Sequence, residues 1–342
     1  MEKEKIGWVT SLRAIACIAI VLLHVVGGWV GQDFGQLAGI RLFLDGIAVQ
    51  VMVRWAVPCF VMLSGFLLLN PDKQMPIEKI WKYTFRIFAV LLTFGLVYCF
   101  LENIMSVDMG IPQLVFSSVK NLVEGKSWSH MWYVYMIAGM YLVTPVLRAF
   151  VRQSDDRTAK CVLLALMVCT IVVPTVNKFF GIEIVTLIPI SSCYVFYYLA
   201  GWYISKWQIQ YKKKLLVLLG GGYGFIGMLV LKLKGFNISV DADSFFVALY
   251  AMAIFALSIE AKCLNQAAKS RLVKAVAKYS FGIYIIHPFF LNVLQKLFRV
   301  VPDILPAFIG EVVFWGIAFA GAYVSTWILC RIKPFRWMLL GR

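Results

Sequence analysis

WVTSLRAIACIAIVLLHVVGGWV, residues 8–30, contains two ionisable side chains, Arg13 and His24, in an otherwise mostly apolar run. As a helix rising 1.5 Å per residue it spans roughly 34 Å, enough to cross about 30 Å of hydrocarbon. A run this close to the N-terminus can be a secretory leader. Its internal Arg13 and His24, the lack of a clear small-x-small cleavage site and the apolar runs that follow argue for a retained membrane helix.

Working outward, comparable runs are predicted as helices near 47–69, 80–101, 131–150, 160–176, 187–206, 214–231, 243–263, 279–300 and 308–331. With 8–30 they make about ten transmembrane helices in an all-α polytopic bundle, read as one domain over 1–342. Residues 111–123 (IPQLVFSSVKNLV) are too short to span and read as a surface or re-entrant helix. Hydrophobic residues make up 61% of the 342 positions and mean hydropathy is +0.82, so the surface is expected to face lipid. The net charge of +16 does not indicate nucleic-acid binding, because the basic residues form short clusters between apolar runs. Sorting Lys and Arg by alternate loops puts 23 on the side of the N-terminus and 8 on the other, with Arg13 and Arg54 inside spans. By the positive-inside rule both termini are expected to be cytoplasmic. Eight scattered cysteines without paired spacing suggest neither a disulfide framework nor a metal site.

Chemistry must then lie in or beside the helices, where ionisable groups are costly and usually functional. Arg13 and His24 are eleven residues apart; at 100° per residue this is about 20° past three full turns, so they share a face. They are separated by roughly 16 Å along the axis, Arg13 at the cytoplasmic end and His24 beyond the midplane. Each has a plainer alternative: Arg13 can snorkel to headgroups, and His24 can hydrogen-bond a neighbouring helix. Arg54 in helix two needs a partner, for which Asp45 and Glu102 are candidates. His287 is placed about two turns into helix nine ahead of Pro288, where it lines a path or simply satisfies a kink. His130 stands before helix four beside Trp132 and Tyr133, where interfacial aromatics are common.

The Arg13-x10-His24 spacing, preceded by Ser11 and Leu12, resembles the motif in helix one of the integral membrane acyltransferase 3 family. VPCFVMLSGFLLL (57–69), the Arg86 region, HMWYVYMIAGMYLVTPVL (130–147) and SFGIYIIHPFF (280–290) resemble further stretches of that family in the same order. The resemblance covers essentially the whole chain. It implies an acyl-CoA dependent O-acyltransferase that moves a cytoplasmic acyl group, usually acetyl, to a hydroxyl of a cell-surface or lipid-linked glycan. On this basis Arg13 and Arg86 are expected to hold the phosphates of acetyl-CoA, since arginine offers planar multidentate donors. His24, neutral in apolar surroundings, is expected to act as general base or to carry the acyl group covalently. His287 is assigned to the donor path, and His130, Trp132 and Arg54 to the acceptor side. No metal is expected. Partners are the bilayer, acyl-CoA and the glycan, with a homo-oligomer left open, and the location is the cytoplasmic (inner) membrane.

Two signals are set aside. Gly222-x-Gly224-x-x-Gly227 spells a dinucleotide fingerprint but lies inside helix seven with no preceding strand; Gly220 and Gly224 suggest helix packing instead. Ser64-Gly65 is read as close packing through small residues. The rival from another class is a secondary transporter, with Arg13 and His24 lining its path.

Overall fold

The computed structural model describes residues 7–33, 47–106, 110–184, 192–206, 211–235, 241–297 and 307–341, and among these the chain is helical without strands. In chain order the helices are α1 (Gly7–Asp33), α2 (Val49–Val53), α3 (Ala56–Leu69), α4 (Ile77–Val90), α5 (Leu96–Ser106), α6 (Ile111–Val123), α7 (Trp132–Gln153) and α8 (Asp156–Met167). They continue as α9 (Val173–Phe180), α10 (Cys193–Ile204), α11 (Tyr211–Leu233), α12 (Phe245–Glu260), α13 (Lys262–Ala267), α14 (Arg271–Leu297), α15 (Ala307–Leu329) and α16 (Lys333–Leu340). Seven helical stretches among the described residues are long and apolar enough to cross a membrane: 7–26, 49–69, 77–104, 129–153, 156–180, 213–233 and 310–329. Many of their large apolar side chains face outward, including Phe85, Leu92, Val146, Leu216 and Ile226, as lipid-facing surfaces require. The chain is a multi-pass membrane protein.

Two of the long helices are continuous through single π turns, Leu91–Gly95 between α4 and α5 and Val168–Val172 between α8 and α9. Helix two is broken at Arg54 and Trp55, which separate α2 from α3. The 111–123 segment forms α6. Its Ser118 and Asn121 bond Asn103 of α5, at 3.0 and 3.2 Å, while Ile111, Phe116 and Val123 face outward.

The tightest crossing joins α3 to α10. A Cβ added at Gly65 would lie 1.8 Å from the Tyr198 carbonyl oxygen, and one added at Gly201 would lie 2.0 Å from that of Met62. The two glycines are therefore where the backbones touch, which agrees with the small-residue reading of Ser64-Gly65. The glycine-rich stretch of α11 also packs a helix, although through Gly221, Gly224 and Gly227 against Ala253 and Phe246 of α12. Gly220 and Gly222 meet nothing within 4 Å, so the expected 220/224 pair is corrected to a three-residue stripe.

One loop charge of the sequence reading proves to be internal. Arg148 is 4% exposed, and its guanidinium donates to the carbonyls of Leu68, Asn70 (3.3 Å) and Lys73 (2.7 Å). These carbonyls lie at and just beyond the C-terminus of α3, where the helix has no N–H donors left to offer. Arg148→Met should therefore lower stability by roughly 3 kcal/mol, the scale for losing charge-assisted bonds and orphaning their acceptors. Thermal midpoints in detergent check this against the exposed neighbour variant Arg152→Met; equal midpoints would contradict the capping role.

Candidate active site

Helix α1 carries Arg13, Cys17, Ile20 and His24 at steps of four, three and four residues, a stripe confined to a sector of about 60°. The Cys17 thiol donates to the carbonyl of Ser280 on α14 at 3.7 Å, and the rings of His24 and His287 meet with centroids 4.8 Å apart. Both pairs are offset by 263 residues, so α1 and α14 run parallel and in register along this stripe. Helix α14 begins at Arg271 rather than 279. His287 therefore lies about 24 Å along it, level with His24 at about 26 Å along α1, and not two turns from its start.

The protein has three histidines, and the structure gathers all of them. His130 lies 6.1 Å from His287 between ring centroids, with Tyr284 5.9 Å from His287 and 6.0 Å from His130. Tyr98, stacked on Trp128 at 4.4 Å, closes the His130 side. His130 is 2% exposed and His287 fully buried, while His24 is half-buried. His130, expected at an interfacial position beside Trp132 and Tyr133, is buried instead. The short turn Ser129–Met131 directs His130 inward, whereas Trp132 is 41% exposed and packs on Tyr194 at 5.2 Å.

Each imidazole is oriented by a backbone carbonyl. His24 Nδ1 faces the Ile20 oxygen at 2.8 Å, His287 Nδ1 that of Ile283 at 3.0 Å, and His130 Nε2 that of Ile285 at 3.1 Å. A carbonyl can only accept, so these nitrogens carry the protons. The remaining lone pairs fall on His24 Nε2, His287 Nε2 and His130 Nδ1, and His287 Nε2 is buried without a hydrogen-bond partner. Helix α14 supplies most of the scaffold. Its Ile285 carbonyl also accepts from Tyr98 Oη at 2.8 Å, and Tyr284 Oη donates to the His130 carbonyl. Pro288 has no N–H for the Tyr284 carbonyl, which loosens the helix beside His287.

Between Arg13 and His24 lies a cavity of about 40 Å³ lined by Cys17, Ile20, Phe60, Tyr133, Phe281 and Tyr284, with Ser280. It holds on the order of two or three waters, so a larger group can pass only if the lining side chains part. At the end of the stripe near the α1 N-terminus, Arg13 is within electrostatic reach of Tyr141, Tyr133 and Arg86. The Arg86 guanidinium carbon sits 5.9 Å from the ring centroids of both Tyr83 and Phe281, so Arg86, Phe281 and the cavity are contiguous. Arg86 also reaches Gly341, where an added Cβ would be 2.3 Å from its Nη1. At the opposite end Arg54 is within electrostatic reach of His24, Asp241 and Tyr194. Glu102 makes no ion pair with it and accepts from Trp128 Nε1 at 2.9 Å; Asp45 lies outside the described residues. Asp241 and Asp243 are bridged by Lys178, at 3.0 and 2.8 Å. Among the described residues no carboxylate comes within ion-pair distance of Arg13, Arg54 or Arg86, and the Nε atoms of Arg54 and Arg86 are buried and unpartnered.

Sequence reasoning missed Tyr284 and Tyr98, and also Glu311, a carboxyl 2% exposed inside the span 310–329. A lone acid within FIGEVVFW was the available signal for the last. No set of three His, Cys, Asp or Glu groups among the described residues is placed to hold a metal ion.

Fold and site together define a multi-pass membrane protein whose three histidines meet beside the interface of α1 and α14. Residues 6–331 match the family described as the acyltransferase domain, acyltransferase 3, and the chain belongs to that family of membrane acyltransferases. It is also 21% identical over 361 aligned positions to "Putative membrane-bound acyltransferase YfiQ" of Bacillus subtilis (strain 168), covering 97% of this chain and 93% of that protein. No solved structure matches the chain.

Proposed function

We propose that this acyltransferase takes an acetyl group from cytoplasmic acetyl-CoA and places it on a hydroxyl of a cell-surface or lipid-linked glycan, within the cytoplasmic membrane. The observation that carries the proposal is the stripe on α1. Two arginines with no carboxylate partner among the described residues lie at one end, a histidine with a free ring nitrogen at the other, and a cavity between them. Coenzyme A is a polyanion joined by a flexible arm to a thioester. Its phosphates suit Arg13 and Arg86, and the arm would run past Cys17 and Ile20 to bring the carbonyl to His24. With Nδ1–H held by Ile20, Nε2 of His24 is the atom that removes the acceptor proton. Arg54, Trp132 and Tyr194 are the groups offered to the acceptor, and His130 helps hold Tyr284 and α14 in place.

Incubating the purified protein with acetyl-CoA should release free thiol when a suitable glycan is present. The absence of both thiol release and coenzyme A binding would favour the transporter reading instead. Arg13→Gln and Arg86→Gln should each raise the KM for acetyl-CoA by roughly tenfold or more, the equivalent of one charge-assisted contact, with the acceptor KM little changed. An unchanged donor KM in both variants would remove the arginines from the donor site.

A further inference from the structure

We propose that His287 is the group that receives the hydrogen bond of protonated His24 and so holds the transferred proton within the site; it is a positioning residue and not part of the donor-binding path. The inference rests on the reading of His24 as general base. It goes beyond that reading in assigning the buried imidazole beside it.

The tautomers carry the argument. With Nδ1–H of each ring bound to its own helical carbonyl, His24 and His287 both present unprotonated Nε2 atoms. Their rings meet edge to face, 4.8 Å apart at 62°. Two lone pairs cannot bond to each other, and the resting protein has no hydrogen bond between the two rings: His287 Nε2 is buried and unpartnered. Once His24 takes a proton on Nε2, that orphaned acceptor gains a donor. An interaction absent from the resting state and present in the charged state lowers the barrier selectively. The other groups around the pair do not do this. Of the rings that His24 meets, His287 lies at 4.8 Å and Tyr284 at 6.5 Å, and Tyr284 gives its hydroxyl to the His130 carbonyl; Arg54, which acts on His24 electrostatically, is a cation and offers no acceptor.

The acceptor O–H bond breaks, its proton moves to His24 Nε2, and the oxygen forms the ester bond as the C–S bond of the thioester breaks. While the acyl group transfers, the proton is shared between the two Nε2 atoms, and it then passes through His24 to the thiolate sulfur. No redox agent or metal enters.

Selective 15N labelling of histidine gives three side-chain spin systems, assignable by removing one histidine at a time. The resting protein should show Nδ1–H tautomers for His24 and His287 and an Nε2–H tautomer for His130. An Nε2–H tautomer at His287 overturns the proposal, because no lone pair would face His24. In steady-state assays His287→Phe should lower kcat roughly 100-fold, within the usual range for proton-transfer partners, and leave the donor KM within about twofold. His287→Gln, whose Oε1 supplies an acceptor at the same reach, should recover activity to within about tenfold of the parent. Wild-type turnover in His287→Phe, or equal losses in the two variants, overturns the assignment. A His24→Ala protein that still transfers acetyl would instead remove the general-base reading beneath it, so the two failures are distinguishable.

Discussion

Replacing His24 by alanine should abolish acyl transfer, by a factor of roughly 10²–10⁴ or to background, while leaving a folded protein. The imidazole is half-buried and its one hydrogen bond is to the Ile20 carbonyl of its own helix, so its removal orphans no distant group. The ring contacts with His287 and Tyr284 are lost, but the helix pair is still held at Cys17–Ser280, and Trp315 of α15 still donates to the Ile18 carbonyl. Activity should therefore fall far more than the thermal midpoint. Transfer at more than about a tenth of the parent rate would show that the acceptor proton leaves by another route.

The second large effect is on folding. Gly65→Ala and Gly201→Ala each place a methyl group within about 2 Å of a backbone oxygen on the facing helix, and backbone cannot rotate aside as a side chain can. Either α3 and α10 separate along their length or the crossing angle changes. Overpacking of this kind costs typically about 1–3 kcal/mol and more where backbone must move, so little folded protein is expected from either variant. Gly220→Ala and Gly222→Ala, at positions with nothing within 4 Å, should be neutral or mildly stabilising through helix propensity. Yield and thermal midpoint in detergent separate the two pairs. A well-folded Gly65→Ala protein would contradict the close approach.

Much of this was legible in the sequence because its signals are local. The Arg13–His24 spacing depends only on helical periodicity, and it placed both groups on the stripe that the structure lines with a cavity. Segment 111–123 was read as a short helix that does not span, and α6 has these bounds. What was not legible depends on which helices are neighbours. Nothing along the chain says that His130 and His287, 157 residues apart, share a site with His24; that requires the parallel pairing of α1 with α14. The start of α14 was read late because Arg271, Lys274 and Lys278 lower the hydropathy of its first two turns, and His287 was therefore placed too shallow. Arg148 counted as a loop charge because a side chain that caps the end of another helix looks, in sequence, like any interfacial arginine. Arg54 was recognised as needing a partner, but Glu102 lies out of ion-pair reach of it, which sequence separation does not reveal.

The central claim is that α1 leads an acyl group from a donor on one face of the membrane to an acceptor on the other. Proteoliposomes with the protein in a single orientation test it directly, using labelled acetyl-CoA, which does not cross the bilayer, on the N-terminal side and glycan acceptor only on the opposite side. Label should appear on the acceptor, and should be absent when His24→Ala protein is used. Transfer occurring only when donor and acceptor are supplied to the same side would contradict the account.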